Sequence, residues 1–160
     1  MSPTLTNDAA QQLVSSQEFF NRSTRLLAEA DSQFAPYPGM MTVAQQVAHA
    51  AQTLDWFVQG VSRPEGFDLD FEAHAKEVAA FTSLAAARAW LDKAYASGIV
   101  YFRARTAEEL AAPMPPGPIL GGQPLSAAAG AMVEHTAHHR GALTVYSRAL
   151  GKIPPMPYMG

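Results

Sequence analysis

The sequence predicts an all-α fold, built as a bundle of four long helices. Alanine, the residue with the highest helix propensity, supplies 30 of the 160 residues. The 12 prolines are clustered, and proline breaks helix interiors. The Pro-free windows between the clusters cover residues 4–35, 39–63, 65–112 and 125–153. Four such windows in a chain of ordinary domain size (1–160) favour a single four-helix-bundle domain.

The first two windows each carry a helix signal. In the first, apolar residues recur every seven positions and share one face of a predicted helix over about residues 6–34. These residues are Leu13, Phe20, Leu27 and Phe34. In the second, Thr42 and Gln45 match a capping box, which predicts a helix over about 42–62.

The second half of the chain alternates irregular segments with helices. The acidic stretch 66–81 is interpreted as a loop with at most one helical turn. A helix is expected over about 82–107, followed by a loop at 112–124 that is too rich in Pro and Gly for regular structure. The last predicted helix covers about 126–150, with Gly151 as the residue that ends it.

Composition excludes several classes of function. The formal net charge is −3, and no segment builds a basic face, so nucleic acid is not an expected partner. The absence of cysteine excludes disulfides, zinc fingers and a thiol nucleophile of the chain's own. The sequence begins with no secretory signal and contains no membrane span, so we expect a cytoplasmic location. Any metal ion has to be held by His and carboxylate groups.

The histidines supply the main functional pattern. His135 and His139 are four residues apart and lie on the apolar face of the last helix, so two imidazoles point into the bundle from successive turns. One divalent ion satisfies both rings; the alternative is a pair of hydrogen-bonded core histidines. His49 lies at the edge of the apolar face of the second helix and is the candidate third ligand. His74 is interpreted as solvated, and His138 as a neighbour of the site.

Standard catalytic motifs are missing. Thr136 stands where the zincin motif H-E-x-x-H carries its general-base Glu. No phosphate-binding loop, dinucleotide fingerprint or G-x-S-x-G elbow occurs. No Glu precedes a His by three residues, so one metal ion is expected instead of a di-iron pair. The catalytic residues stay unknown at this stage.

Two segments resemble a known family. MTVAQQVAHAAQTLDWF, which contains His49, and EHTAHHRGALTVYSRALGKIPP resemble the DinB/YfiT-like superfamily, most specifically in the H-x-x-H-H-R-G run. The resemblance implies a four-helix bundle with a crossover connection, often a homodimer. It also implies a three-His metal site at His49, His135 and His139, commonly holding zinc or nickel; imidazole accepts iron as well.

The resemblance also implies a class of chemistry. Characterised relatives include isomerases and S-transferases that use low-molecular-weight thiols. We therefore expect a mononuclear metal-dependent transferase or hydrolase acting on a small molecule, with any thiol supplied as a cosubstrate. The alternative is a non-catalytic bundle that binds a metal or a ligand. Candidate neighbours of the metal or the substrate are Gln46, Thr53, His138, Arg140 and Tyr146.

Overall fold

The computed structural model describes residues 4–159 and, among them, the side chains from Asp8 onwards. This part of the chain is helical, which confirms the all-α class. The four long helices are α1 (Thr4–Thr24), α2 (Val43–Ser62), α4 (Leu84–Arg103) and α6 (Ser126–Ala149). Two short helices, α3 (Phe71–Ala79) and α5 (Ala107–Ala111), and a 3₁₀ turn (Glu29–Asp31) lie between them. The described residues thus form six α-helices, and the predicted number of four applies only to the long ones.

The long helices pack in the cyclic order α1, α4, α2, α6. Both α1 and α2 contact α4 and α6, so α1 and α2 occupy opposite corners of the bundle. Trp90 of α4 donates a hydrogen bond to Asp55 of α2, and further along both helices Tyr101 donates to the Val61 carbonyl. Hence α2 and α4 are parallel neighbours, and the chain has to return along the bundle between them. Residues 63–83, which include α3, make this return and confirm the predicted crossover.

Each long helix contributes a fully buried leucine to the core. These are Leu13, Leu54, Leu91 and Leu143. Burying one such side chain contributes about 1.5–3 kcal/mol relative to leaving it in water. Alanines on the same helices, including Ala48, Ala50 and Ala94, are also buried. Their small side chains let the helices approach each other closely.

A buried polar chain joins three of the helices. Thr136 of α6 donates to the Met132 carbonyl, so its oxygen is free to accept from Ser16 of α1 at 2.9 Å. Ser16 in turn lies 2.9 Å from the hydroxyl of Tyr95 on α4. Burial raises the pKa of the Tyr95 phenol, so it stays a neutral donor. Each hydroxyl in this hydrogen-bonded series has a partner, which is the condition for burying a polar group.

The predicted first helix, 6–34, is too long. α1 ends at Thr24, where the guanidinium of Arg88 donates to both the carbonyl and the hydroxyl of Thr24. The apolar heptad continues beyond the helix because Leu27, which follows the end of α1, is also buried in the core. Chain reversal is required here, since the next long helix lies at the opposite corner of the bundle.

The segment after α1 caps two other helices. The Ser32 and Phe34 carbonyls accept from the first backbone N–H groups of α2. The side chains of Glu29 and Ser32 accept from Ala85 and Leu84 at the start of α4. These bonds satisfy helix-end donors that have no partner within their own helix, and they explain why 29–34 cannot continue α1.

Two further boundaries differ from the prediction. The stretch 66–81, interpreted as a loop, contains the nine-residue helix α3, whose N-cap Asp70 accepts from the Ala73 N–H. The helix expected over 82–107 begins after its N-cap Ser83 and ends at Arg103. It stops there because Thr106 caps a separate short helix, α5.

Other elements agree with the sequence. Thr42 and Gln45 form the predicted capping box of α2. α6 ends next to Gly151, which has a positive φ of 74°. The Pro/Gly segment carries one antiparallel bridge, between Pro113 and Pro124. Within the described residues, no helix combines the length and hydropathy of a membrane span.

Gly60 offers a test of packing at the crossover. A Cβ atom at Gly60 would lie 2.2 Å from the ring of Phe67, whereas a Cβ at Gly141 meets nothing within 4 Å. We expect Gly60→Ala to lower the free energy of unfolding by about 1–3 kcal/mol, because Phe67 must move. Gly141→Ala should raise it by about 0.5–1 kcal/mol, because the helix loses a flexible residue. Urea unfolding followed by circular dichroism measures both, and equal effects of the two substitutions would contradict this packing.

Candidate metal centre

Three histidines from two helices meet between α2 and α6. The candidate ligand atoms of His49, His135 and His139 all lie within 4.8 Å of one another. The ring centroid of His49 is 5.1 Å from that of His135 and 4.8 Å from that of His139. The two α6 rings face each other through their Nε2 atoms, which are 3.1 Å apart. The structure therefore brings together the three residues that the sequence singled out.

The antiparallel packing of α2 and α6 produces this meeting. Gln46, near the start of α2, contacts residues 139 and 146 of α6, whereas Thr53, two turns later, contacts His135. His49 lies between these two points on α2. The four-residue spacing of the α6 pair places both rings on the face turned to it.

A directed hydrogen-bond chain fixes the orientation of His139. The Tyr146 hydroxyl donates to the Met41 carbonyl (2.8 Å) and accepts from Nε2 of Gln46 (3.2 Å). The amide oxygen of Gln46 is therefore turned to the imidazole and accepts from Nδ1–H of His139 at 2.5 Å. Since Nδ1 carries the proton, Nε2 of His139 presents its lone pair to the other histidines.

Thr53 lies beside the ring of His135. Its hydroxyl lies 3.0 Å from Nε2 of His135, the same nitrogen that faces His139. The hydroxyl thus stands at the position where a group bound by these nitrogens would lie. Gln46, Thr53 and Tyr146, all singled out from the sequence, are next to the cluster.

Gln52 is a neighbour of the site that sequence reasoning missed. Helical periodicity puts it on the polar face of α2, but it is only 7% exposed because α3 covers it. Its amide nitrogen donates to the His74 carbonyl and to the Glu77 carboxylate of α3. Its amide oxygen remains available to interact with the His49 imidazole. The N-cap signal at Asp70 was the feature that could have revealed α3 and, through it, this contact.

Burial keeps the three imidazoles neutral. It lowers the pKa of His139 to about 3 and that of His135 to about 4, and the neighbouring imidazoles add to both shifts. Burial also lowers the pKa of His49, an effect that Gln52 partly offsets. Neutral rings have the free lone pairs that metal binding requires.

The remaining candidates lie outside the cluster. His138 is exposed, with its ring centroid 5.0 Å from that of His139. The structure does not bring Arg140 to the site: its guanidinium lies over the ring of Phe19, on the side of α6 that faces α1. One residue along a helix turns the side chain by about 100°, which separates Arg140 from its neighbour His139. His74, interpreted as solvated, is half-buried and pairs with Asp68 at 3.3 Å.

Two cavities open onto the cluster. One, of about 670 Å³, lies under α3 and the Pro/Gly segment and reaches His49 and His135. The other, of about 540 Å³, is more open and reaches all three histidines, together with Glu134 and His138. A group at the cluster is therefore accessible from two sides.

The donor set fits a single divalent ion. The two facing Nε2 atoms of His135 and His139 satisfy each other only when one is protonated, whereas an ion takes both lone pairs and that of His49. Imidazole suits zinc, nickel and iron, and no thiolate or carboxylate joins the three histidines in this cluster. Three protein ligands leave coordination positions open, as in catalytic centres.

Comparisons with known proteins identify a family and a fold for the chain. Residues 12–143 match the profile of the DinB superfamily. The chain belongs to the DinB superfamily. The crystal structure of a conserved protein from Enterococcus faecalis matches with a TM-score of 0.68 at 17% identity, over 94% of this chain and 100% of that chain. At this identity the likeness shows the fold alone. No curated protein matches the chain significantly.

The Gln46 contact predicts a measurable loss of metal affinity. Gln46→Leu keeps the volume but removes the acceptor for His139 Nδ1–H, so we expect Zn²⁺ affinity to fall about 10–100-fold. Thr53→Val is the control, because its hydroxyl contacts a nitrogen that the ion would occupy, and its removal should not weaken binding. Competition titration with a chromophoric chelator measures both affinities. Unchanged affinity in Gln46→Leu would show that the contact does not support the site.

Proposed function

We propose that this DinB-superfamily chain is a mononuclear metal-dependent enzyme that uses a low-molecular-weight thiol in an S-transfer or isomerisation reaction. The carrying observation is the cluster of three neutral imidazoles, which opens onto two adjoining cavities. Two adjoining cavities suit a reaction of two small molecules. The ion we propose is zinc or nickel, with iron as a further possibility. Metal identity and thiol use rest on the family resemblance and on imidazole chemistry.

The bound ion would supply Lewis acidity, since a divalent ion on three neutral ligands keeps its full charge and lowers the pKa of a thiol or water that approaches it. The chain's own residues prepare this centre. Gln46 holds the His139 ring with its lone pair inward, and burial keeps the imidazoles unprotonated. The Thr53 hydroxyl is placed to hydrogen-bond a reactant beside His135.

The proposed transfer step balances without a redox partner. The thiol S–H loses its proton to solvent, and the sulfur forms a bond to an electrophilic carbon. In a displacement, the bond from that carbon to the leaving group breaks, and the leaving group departs with the electron pair. In a conjugate addition, the neighbouring carbon takes up a proton instead. The sulfur has to come from a cosubstrate, because the chain contains no cysteine.

A metal and activity comparison tests the proposal. We expect the purified chain to hold one ion per chain, and His135→Ala and His139→Ala to hold about tenfold less. His138→Ala is the matched control, because the exposed His138 lies on the same helix outside the cluster. Elemental analysis measures metal content. Equal content in the wild type and in His139→Ala would contradict the metal site.

Turnover separates the enzyme from a binding protein. Glutathione, cysteine, mycothiol and bacillithiol are each tested with an uncharged chloromethyl or enone electrophile. We expect at least one thiol to react faster with wild type than with His139→Ala. Metal binding with no acceleration by any thiol would reject the thiol-dependent reaction and support a hydrolase or the alternative, a non-catalytic bundle that binds a metal or a ligand. Light scattering tests the homodimer that the resemblance implies.

A further inference from the structure

The two cavities at the cluster differ in their chemistry. The larger one is walled by Trp56, Phe57 and Phe71 on one side and by Ile119 and Leu120 on another. No Lys, Arg, Asp or Glu lines it. The smaller one includes the carboxylate of Glu134. An anion in the larger cavity, away from the histidines, would lose its hydration with no cation to replace it, which is strongly unfavourable.

Aromatic packing and a constrained backbone hold the wall of the apolar cavity in place. Trp56 packs on Phe67 and Phe71 with ring centroids 4.7 and 6.2 Å apart, and its indole N–H donates to the Asp68 carbonyl. Across the cavity, Leu120 has a φ of 49°, a left-handed conformation that is unfavourable for leucine. A backbone in that conformation is retained only where its surroundings impose it, and here it presents an apolar side chain to the cavity.

The loop that carries Leu120 is closed tightly. A Cβ at Gly121 would lie 2.4 Å from the backbone of Gly117, so the two segments touch directly. The Gln123 N–H donates to the Leu120 carbonyl, and Met114 pairs with Gln123 and Gly122. These contacts hold the loop in place as one wall of the apolar cavity. The cavity's volume of about 670 Å³ lies within the range of small-molecule sites.

We infer that the apolar cavity binds the uncharged, apolar part of the electrophilic substrate. The more polar, open cavity is left for the thiol. The identification of this substrate as an electrophile rests on the proposed function, whereas binding of its apolar part needs no turnover. The inference excludes a carboxylate placed in this cavity away from the histidines.

Paired probes test the inference by isothermal titration calorimetry. 2-Naphthylmethanol and 2-naphthoate share one ring system and differ in charge at neutral pH. With the full chain after chelator treatment, we expect the alcohol to bind at least tenfold more tightly than the carboxylate. Treatment with chelator matters, because a bound ion would itself attract a carboxylate. Equal affinities, or no binding of the alcohol, would overturn the inference.

Substitutions on α3 locate the probe. Ala75 and Ala79 line the cavity and are exposed, so Ala75→Phe should narrow it without disturbing the core. We expect Ala75→Phe to weaken 2-naphthylmethanol binding at least tenfold, and Ala73→Phe, on the same helix but outside the lining, to leave it unchanged. Ala79→Phe narrows the cavity at a second position, and circular dichroism verifies folding. Unchanged binding in both narrowed variants would contradict the assignment.

The outcomes distinguish this inference from the proposed function. Selective binding of the alcohol without any thiol reaction would leave the cavity assignment standing and reject the thiol-dependent reaction. Thiol transfer with no preference for the neutral probe would keep the enzyme and reject the apolar assignment.

Discussion

The orientation of one imidazole determines what the centre of this bundle can do. The chain of hydrogen bonds from the Met41 carbonyl through Tyr146 and Gln46 to His139 has a single direction, because each donor is used once. It places the proton of His139 on Nδ1 and the lone pair of Nε2 opposite His135. Without this constraint, the cluster reduces to hydrogen-bonded core histidines. With it, three lone pairs can converge on one ion.

The helix arrangement serves this convergence. α2 and α6 are antiparallel neighbours, so an early residue of α2 meets the middle of α6. The parallel pair α2 and α4 requires the crossover 63–83, and its helix α3 covers the side of α2 that carries Gln52. Residues of the same crossover also line the apolar cavity beside His49. The long connection is therefore part of the site as well as a link between helices.

Local signals were enough to predict much of the fold. The capping box at Thr42 and the His135/His139 spacing depend only on residues within one helix, and sequence carries these directly. The end of α1 depends on Arg88, a residue 64 positions away from Thr24, so periodicity alone extended the helix too far. Gln52 looked solvent-facing for the same reason, since its cover comes from α3. Arg140 was singled out by its motif, but its side chain is turned towards α1.

X-ray absorption spectroscopy of the zinc-loaded full chain counts the histidines at the ion, because imidazole rings give a characteristic multiple-scattering signal. We expect three imidazole ligands per zinc ion in the wild type and two in His49→Ala. A wild-type spectrum that fits two or fewer imidazoles, or one that is unchanged in His49→Ala, would contradict a single ion held by His49, His135 and His139.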